Sequence, residues 1–172
     1  MRQILGLFSA VFLLFSCLVG VRSGGQFTDE EFDEMAKKMS KGSAPKISVE
    51  ELQRKLPSEI VLLDTRSREE YDVSHIAGAR WVGYEAFDLG KVAGLSVDTT
   101  IVTYCSVGYR SERIAEQLQK AGFRHVYNLE GGIFGWVNKG NPVVDAAGRP
   151  VHKVHGYNAK WSKWLRGVEV VY

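Results

Sequence analysis

One cysteine lies where a parallel-sheet protein places a nucleophile. Cys105 directly follows the apolar, β-branched run Thr100–Tyr104, which predicts a buried strand, and Arg110 comes five residues later. Ligands of open parallel sheets bind at the carboxyl ends of the strands. Gly108 lets the loop curl so that its N–H groups point at the sulfur, and a helix is predicted to start near Ser111. These donors, the helix dipole and the Arg110 charge favour a thiolate, which can attack an electrophilic sulfur or phosphorus atom.

The segments around this cysteine alternate between strand and helix patterns. Capping boxes at Thr28 with Glu31 and at Ser48 with Glu51 predict the first two helices, over residues 28–40 and 48–56. Further helices are predicted at 67–73, from about 111 to 122 and at 133–137, and strands at 46–48, 60–63, 79–82, 100–104 and 125–129. This alternation predicts an α/β domain with a central, mostly parallel sheet and helices on both faces.

Length and composition fit one folded domain with additions at both ends. The chain has 172 residues, 45% of them hydrophobic and 24% charged, and only two cysteines, which excludes a disordered chain and a disulfide scaffold. We divide it into residues 1–23 (signal peptide or membrane anchor), 24–45 (N-terminal helix and linker), 46–142 (the α/β domain) and 143–172. The last segment has no strong period, and we expect a short C-terminal extension that packs back on the domain.

The first 23 residues have the pattern of an export signal. Arg2 precedes an apolar stretch from Ile4 to Val21, and small residues surround a cut after Ser23. Two alternatives are a lipoprotein acylated at Cys17 and an uncleaved membrane anchor. All three place the domain outside the cytoplasm, in the periplasm or the extracellular space. After cleavage Cys105 would be the only thiol, and no internal disulfide could form.

The charge balance gives no sign of a nucleic-acid partner. The chain has 22 basic and 20 acidic residues, and two of the basic residues, Arg2 and Arg22, belong to residues 1–23. The remaining domain is formally neutral, whereas nucleic-acid-binding domains carry a basic surplus. We expect contact with a membrane only through the N-terminal segment.

Three ordered motifs resemble those of the rhodanese-like sulfurtransferase family. Residues 105–111 are similar to its active loop, Cys-x-x-Gly-x-Arg-Ser/Thr, residues 62–79 to its N-terminal motif, and residues 128–136 to its closing motif. The resemblance spans about residues 47–142. It implies that sulfane sulfur moves from a small donor to Cys105, as a persulfide, and then to a thiol or cyanide-like acceptor, with a protein thiol as one candidate. It implies no metal or organic cofactor.

The resemblance also assigns site residues. It makes Cys105 the nucleophile and residues 106–110 the substrate-binding loop: Ser106, Val107, Gly108, Tyr109 and Arg110. Arg110 is expected to hold the loop by pairing with a carboxylate, either Glu70 or Asp64. Supporting positions are Asp64, Arg66, Glu70, His75 and Ser111. We interpret Asp64 and Arg66 as a structural pair at a strand end. His75 is either a substrate-side residue or a hydrogen-bonded part of the scaffold.

Two departures and two alternatives accompany this interpretation. Many thiosulfate-using members carry a basic residue directly after the cysteine, where this chain has Ser106, and Ser74 replaces the glycine usual before the motif histidine. The first alternative is a phosphatase or arsenate reductase, whose loops resemble Cys-x5-Arg and are one residue longer than this one. The second is a non-catalytic domain that binds a protein or senses thiols.

Two histidines of the C-terminal segment, His152 and His155, could suggest a metal site. A metal site needs three or four ligands, and no cysteine or clustered carboxylate accompanies them. We therefore expect both histidines to be exposed.

Overall fold

The computed structural model describes residues 27–56 and 60–172. The predicted signal or anchor, residues 1–23, lies outside the described residues, as does the start of the linker at 24–26. Within the described ranges, no helix is long and apolar enough to cross a bilayer.

Five parallel strands form the central sheet. They are β1 (Lys46–Ile47), β2 (Ile60–Asp64), β3 (Arg80–Trp81), β4 (Thr100–Tyr104) and β5 (His125–Leu129), in the order β1-β5-β4-β2-β3. The predicted parallel sheet is therefore confirmed. Strand β4 lies in the middle, between β5 and β2, so the residue that follows it emerges at the centre of the carboxyl edge.

Helices cover both faces of this sheet, as predicted. The helices of the domain are α1 (Asp29–Met39), α2 (Val49–Lys55), α3 (Arg68–Val73), α4 (Tyr109–Lys120) and α5 (Gly132–Asn138), with a 3-10 turn at Leu89–Val92. Side chains alternate across strand β4, so Val102 packs with α1, α2 and α5, while its neighbour Ile101 packs with α4. Two apolar clusters therefore hold the sheet between its helices.

Side-chain caps fix where the helices begin. Thr28 and Glu31 form the predicted reciprocal capping box of α1. Ser48 accepts the N–H of the third residue of α2 and so caps that helix. An additional reciprocal box, between Ser67 and Glu70, starts α3 at the carboxyl end of β2. This box places a carboxylate beside the Cys105 loop.

Helix α4 begins two residues earlier than predicted. The helix was expected near Ser111, but it starts at Tyr109. Gly108 is its N-cap and has φ +109°, in the region that favours glycine, so the chain turns into the helix within one residue. The loop after β4 therefore comprises only residues 105–108. Tyr109 and Arg110 belong to the first helical turn, which orients the arginine more firmly than a loop would.

The C-terminal extension packs on the domain. It contains the antiparallel pair β6 (Val143–Val144) and β7 (Pro150–Val151), the parallel pair β8 (Lys153–His155) and β9 (Glu169–Val171), and helix α6 (Ala159–Ser162). Val154 and Leu165 are buried in the same cluster as α1 and α5. The Trp164 ring meets Phe27 and Phe32 edge to face, at centroid distances of 5.2 and 6.3 Å. The extension is thereby fixed against α1 and α5.

Candidate active site

The free thiol of Cys105 lies in the loop that leaves the central strand. The residue is 1% exposed, and its Sγ accepts a hydrogen bond from the N–H of Gly108 at 3.1 Å. The loop has thus curled back over its own first residue, as the glycine predicted. A backbone donor aimed at sulfur favours a negative charge there.

Helix α5 holds the loop from the opposite side. The N–H groups of Ile133 and Phe134 donate to the carbonyl oxygens of Cys105 and Ser106, at 2.9 and 3.1 Å. No peptide bond in the described residues is cis, and in a trans peptide the carbonyl and the following N–H point in opposite directions. The N–H groups of Ser106 and Val107 therefore point away from α5. The closing motif acts on the site by fixing the orientation of these peptides.

Gly132 makes this close approach possible. It has φ +56°, and a Cβ at this position would collide with the carbonyl oxygen of Cys105 and the backbone of Ser106. We predict that Gly132→Ala lowers the free energy of unfolding by more than the ~1–2 kcal/mol that a left-handed conformation costs an alanine, because the loop must also shift. Urea unfolding measures the loss, and thiol reactivity should change with it.

Gly167→Ala is the matched control for this prediction. Gly167 has a similar φ of +67°, but no atom lies within 4 Å of the position that its Cβ would occupy. Gly167→Ala should therefore lose only the ~1–2 kcal/mol of unfolding free energy that the left-handed conformation costs an alanine. Equal losses in the two variants would contradict the proposed close approach.

A buried polar network holds the far end of the loop. The Asn128 side chain on β5 donates to the Gly108 carbonyl oxygen at 3.0 Å and to the Ser40 hydroxyl at 3.2 Å. Its Oδ1 accepts from the Ser111 hydroxyl at 2.7 Å. Ser111 thus lies where a supporting residue was expected. Our sequence reasoning assigned no site role to Asn128 or Ser40, although an asparagine inside an apolar strand is a signal of a buried polar role.

Arg110 is paired with Glu70, one of the two candidate carboxylates. Its Nη1 and Nη2 donate to Glu70 Oε2 and Oε1 at 2.7 and 2.9 Å, and the two side chains are 18% and 2% exposed. The Ser106 hydroxyl lies 2.9 Å from both Glu70 Oε1 and Arg110 Nη2. The residue after the cysteine is therefore tied to this ion pair, which fixes the loop to the starts of α3 and α4.

The ion pair keeps both side chains ionised despite their burial. Burial alone would raise the pKa of Glu70, but the hydrogen bonds and charge of Arg110, with the charge of Arg66 and the N–H of Ser67, outweigh it and lower that pKa to about 2. Burial opposes the charge on Arg110, yet the hydrogen bond to Glu70 and the negative charge of that carboxylate outweigh it and raise the pKa of the guanidinium. A fixed positive charge therefore lies beside the residue that follows the cysteine.

The low pKa of Glu70 makes stability depend on pH. A carboxyl whose pKa falls from 4.5 to about 2 on folding stabilises the fold above pH 4.5, and this contribution is lost as the pH falls toward 2. The difference between these two pKa values corresponds to about 3 kcal/mol of unfolding free energy. We predict that the free energy of unfolding of Glu70→Gln falls less steeply between pH 5 and 2.5 than that of the unmodified protein. Urea titrations at each pH measure the slopes.

Glu31→Gln is the control for this pH dependence. Glu31 occupies the equivalent capping-box position of α1, but its side chain is exposed. Because water screens this exposed carboxylate, Glu31→Gln should keep the slope of unfolding free energy against pH closer to that of the unmodified protein than Glu70→Gln does. If Glu70→Gln also keeps that slope, Glu70 is not the group that makes stability depend on pH.

Asp64 and Arg66 form a fully buried pair at the end of β2. Arg66 Nη2 donates to Asp64 Oδ2 at 2.6 Å and to the carbonyl oxygen of Ser74 at 2.7 Å. The Arg66 carbonyl accepts from the indole N–H of Trp81 at 3.0 Å. The pair thus joins three segments of the carboxyl edge, which agrees with the structural interpretation. Asp64 does not pair with Arg110.

The structure does not bring His75 to the cysteine. His75 is buried, stacks on the Tyr71 ring at a centroid distance of 3.8 Å, and places Nδ1 3.1 Å from the Tyr71 carbonyl oxygen. Its backbone exchanges two hydrogen bonds with Val144. His75 is absent from the walls of the cleft described next, so these contacts favour the scaffold interpretation over the substrate-side one.

A cleft of about 820 Å³ opens in front of Cys105. Its walls come from the Cys105 loop, the start of α3, the segment after β3 and the C-terminal extension, and its aromatic members are Trp81, Tyr84, Tyr109, Tyr157 and Trp161. Our sequence reasoning assigned no site role to the extension, and the expectation that both tail histidines are exposed was wrong for His155. That residue is half-buried at the cleft because β8 carries it there.

Among residues 27–56 and 60–172, no cluster of three or more His, Cys, Asp or Glu side chains could hold a metal.

These features define a class of protein: a parallel α/β domain that presents one thiol in a short loop at the carboxyl edge, with a backbone N–H on the sulfur and an arginine in the following helical turn. The chain belongs to the rhodanese-like domain family, whose model matches residues 48–139. The predicted family membership is therefore confirmed.

Known relatives associate this domain with sulfur transfer. The chain is 36% identical to the Mycobacterium tuberculosis adenylyltransferase/sulfurtransferase MoeZ (68% of this chain, 30% of the relative) and 32% identical to the Bacillus subtilis sulfur carrier protein YrkF (69% and 60%). It is 35% identical to the tRNA uridine(34) hydroxylase of Bordetella parapertussis (59% and 45%). A rhodanese-related protein from Thermoplasma volcanium superposes with a TM-score of 0.52 at 28% identity, over 58% of this chain and 97% of that one. The chain thus spans 30–60% of the length of these curated relatives.

Proposed function

We propose that the protein is a sulfurtransferase that carries sulfane sulfur as a persulfide on Cys105. The observation that carries the proposal is the position of Sγ, which faces the N–H of Gly108 in a cleft whose Arg110 charge is fixed by Glu70. This arrangement gives a nucleophilic sulfur a backbone hydrogen-bond donor and places a fixed positive charge in the same cleft. The relatives named as a sulfurtransferase and a sulfur carrier support the same chemistry.

The reaction has two balanced steps. The Cys105 thiolate attacks the sulfane sulfur of a donor, a sulfur–sulfur bond forms at Sγ, and the donor's own bond to that sulfur breaks with its electron pair leaving on the donor. A nucleophilic acceptor, such as a thiolate or cyanide, then attacks the outer sulfur and the Cys105 thiolate leaves. The negative charge stays near Arg110 throughout, so the loop need not reorganise between the steps.

The partners proposed are a small sulfane-sulfur donor and a thiol or cyanide-like acceptor, with a protein thiol as one candidate. The size of the cleft allows an acceptor larger than cyanide to reach the sulfur. Neither of the two proposed steps needs an organic cofactor.

Intact-mass spectrometry tests the proposal. The purified full chain is treated with thiosulfate and, separately, with an organic thiosulfonate, and its mass is recorded before and after addition of cyanide. We expect a gain of one sulfur atom on the peptide that contains Cys105, and its removal by cyanide with formation of thiocyanate. No adduct from any donor would instead favour the alternative of a non-catalytic binding or thiol-sensing domain.

We also propose that the domain works outside the cytoplasm. The charged, apolar and small-residue pattern of residues 1–23 supports this location. Fractionation of cells that express the full chain, with the N-terminus read by mass spectrometry, tests it. A cytoplasmic protein that keeps residues 1–23 would contradict export.

A further inference from the structure

The C-terminal extension contributes a wall to the site. The family match ends at residue 139, yet His155, Tyr157 and Trp161 of the extension line the same cleft as Cys105. These residues therefore lie beside the reacting sulfur but outside the segment that the family shares. They can therefore determine which sulfur donor the site of this chain prefers.

Tyr157 is held over the site in an unfavourable backbone conformation. Among the described residues it is the one non-glycine residue with positive φ, at +63°. Its N–H donates to His155 Nδ1 at 3.0 Å, which locks the turn, and its ring lies 5.0 Å from the guanidinium carbon of Arg110. Tyr157 as a whole residue is also 48% exposed to solvent, so it is not placed there to fill the core. Such a conformation persists only where the surroundings impose it, and it is concentrated at functional sites.

The cleft has no surplus of positive charge for an inorganic dianion. Arg66 is paired with Asp64, Arg68 with Asp72 and Arg110 with Glu70. The Ser106 hydroxyl, at the position where a basic residue would attract such an anion, is taken up by Glu70 and Arg110. Each arginine of the cleft is therefore balanced by a carboxylate.

The rest of the cleft fits an organic group. Its volume of about 820 Å³ is within the range of ~300–1,000 Å³ that organic ligands occupy, and far above the need of a single inorganic anion. Trp81 faces it from the strand side and Tyr157 with Trp161 from the extension. Aromatic walls contact apolar and aromatic groups favourably.

From these observations we infer that the extension selects the sulfur donor. Tyr157 is the specificity-determining residue, and the preferred donor is a sulfane-sulfur compound with an organic, apolar or aromatic body rather than thiosulfate. The inference rests on the proposed function. For a thiosulfonate, the Cys105 thiolate attacks the sulfane sulfur, the new sulfur–sulfur bond forms, and the organic sulfinate leaves with the electron pair of the broken bond.

Two donors of equal charge test the inference. Methanethiosulfonate and benzenethiosulfonate carry the same reactive sulfur and one negative charge each, and they differ in the aromatic body. We expect kcat/KM for the benzene compound to exceed that for the methane compound by about tenfold, once corrected for their intrinsic reactivity towards a free thiol. Tyr157→Ala should reduce this ratio to near one, chiefly through KM for the benzene compound. Tyr157→Phe should keep it, because the ring and the backbone requirement remain.

Tyr172→Ala is the matched control. Tyr172 is an exposed aromatic residue of the same extension; its ring meets that of His155 edge to face at 6.3 Å, but it is not itself part of the cleft wall. It should leave the donor ratio unchanged, and circular dichroism establishes that each variant is folded. Equal kcat/KM values for the two donors, or an unchanged ratio in Tyr157→Ala, would overturn the inference while leaving the persulfide function intact. Failure of both donors to load Cys105 would instead overturn the function on which the inference rests.

Discussion

Replacing Cys105 with alanine is expected to lower sulfur transfer by at least about 1,000-fold, because the described residues then hold no thiol that could carry the sulfur. Cys105 is the free cysteine of the described residues, and it faces the donor N–H of Gly108. The loop should survive the change, since its carbonyl groups remain bound to α5. Thiocyanate formation measures the rate, and intact mass shows the loss of the sulfur adduct.

Cys17→Ser is the matched control for this experiment. Cys17 is the other cysteine of the full chain and lies outside the described residues. Its variant should keep the rate and the adduct in the full-length chain. Thermal unfolding of Cys105→Ala should remain cooperative, so that an inactive variant is not mistaken for an unfolded one. Full activity in folded Cys105→Ala would show that the sulfur is carried elsewhere.

Strands β4 and β5 could be predicted to the residue. Each is a five-residue segment with apolar or β-branched positions and clear turn signals at its ends. The interior position of β4 follows from its pattern, because a strand buried on both faces needs apolar residues on both. Once β4 was located, Cys105 had to lie at the carboxyl edge.

The partner of Arg110 could not be chosen from the sequence alone. Asp64 and Glu70 were both candidates, and separation along the chain does not state which one faces α4. The Ser67–Glu70 capping box decides the matter: it turns Glu70 inward at the start of α3, where one oxygen accepts the Ser67 N–H and both meet Arg110. The Ser-x-x-Glu spacing of this box was present in the sequence as a usable signal.

The contribution of the extension had no sequence signal. Its strands are two or three residues long, which is too short for any period to show. Its position is set by scattered tertiary contacts, such as the two hydrogen bonds of the Asn138 side chain to the backbone of Trp164 and Arg166. Only the folded structure places Tyr157 over Arg110.

The buried ion pair should have the next largest effect. Arg110→Ala leaves the Glu70 carboxylate buried without its guanidinium, a change that costs about 3–5 kcal/mol of unfolding free energy in comparable cases. The pKa of Glu70 should then rise, because burial raises it and the largest opposing contribution is gone. The loop also loses its hold on Ser106, so we expect sulfur transfer to fall by about 100-fold.

An exposed pair of the same length provides the control. Arg124 and Asp98 are joined at 2.7 Å, as are Arg110 and Glu70, but their side chains are 66% and 58% exposed. Arg124→Ala should change the unfolding free energy by less than about 1 kcal/mol, because water screens the pair, and it should leave the rate unchanged. The comparison thus separates the effect of burial from that of the contact itself.

Second-site variants separate charge from stability. Glu70→Gln added to Arg110→Ala removes the unpaired buried charge, so the double variant should recover much of the lost stability. Its rate should stay low, because the positive charge of Arg110 is then missing from the cleft that Cys105 lines. Arg110→Lys keeps a charge but not the two-pronged contact, and it should be intermediate in both measurements. If the double variant regained the full rate, the function of Arg110 would be only to neutralise Glu70, and the sulfur would not depend on its charge.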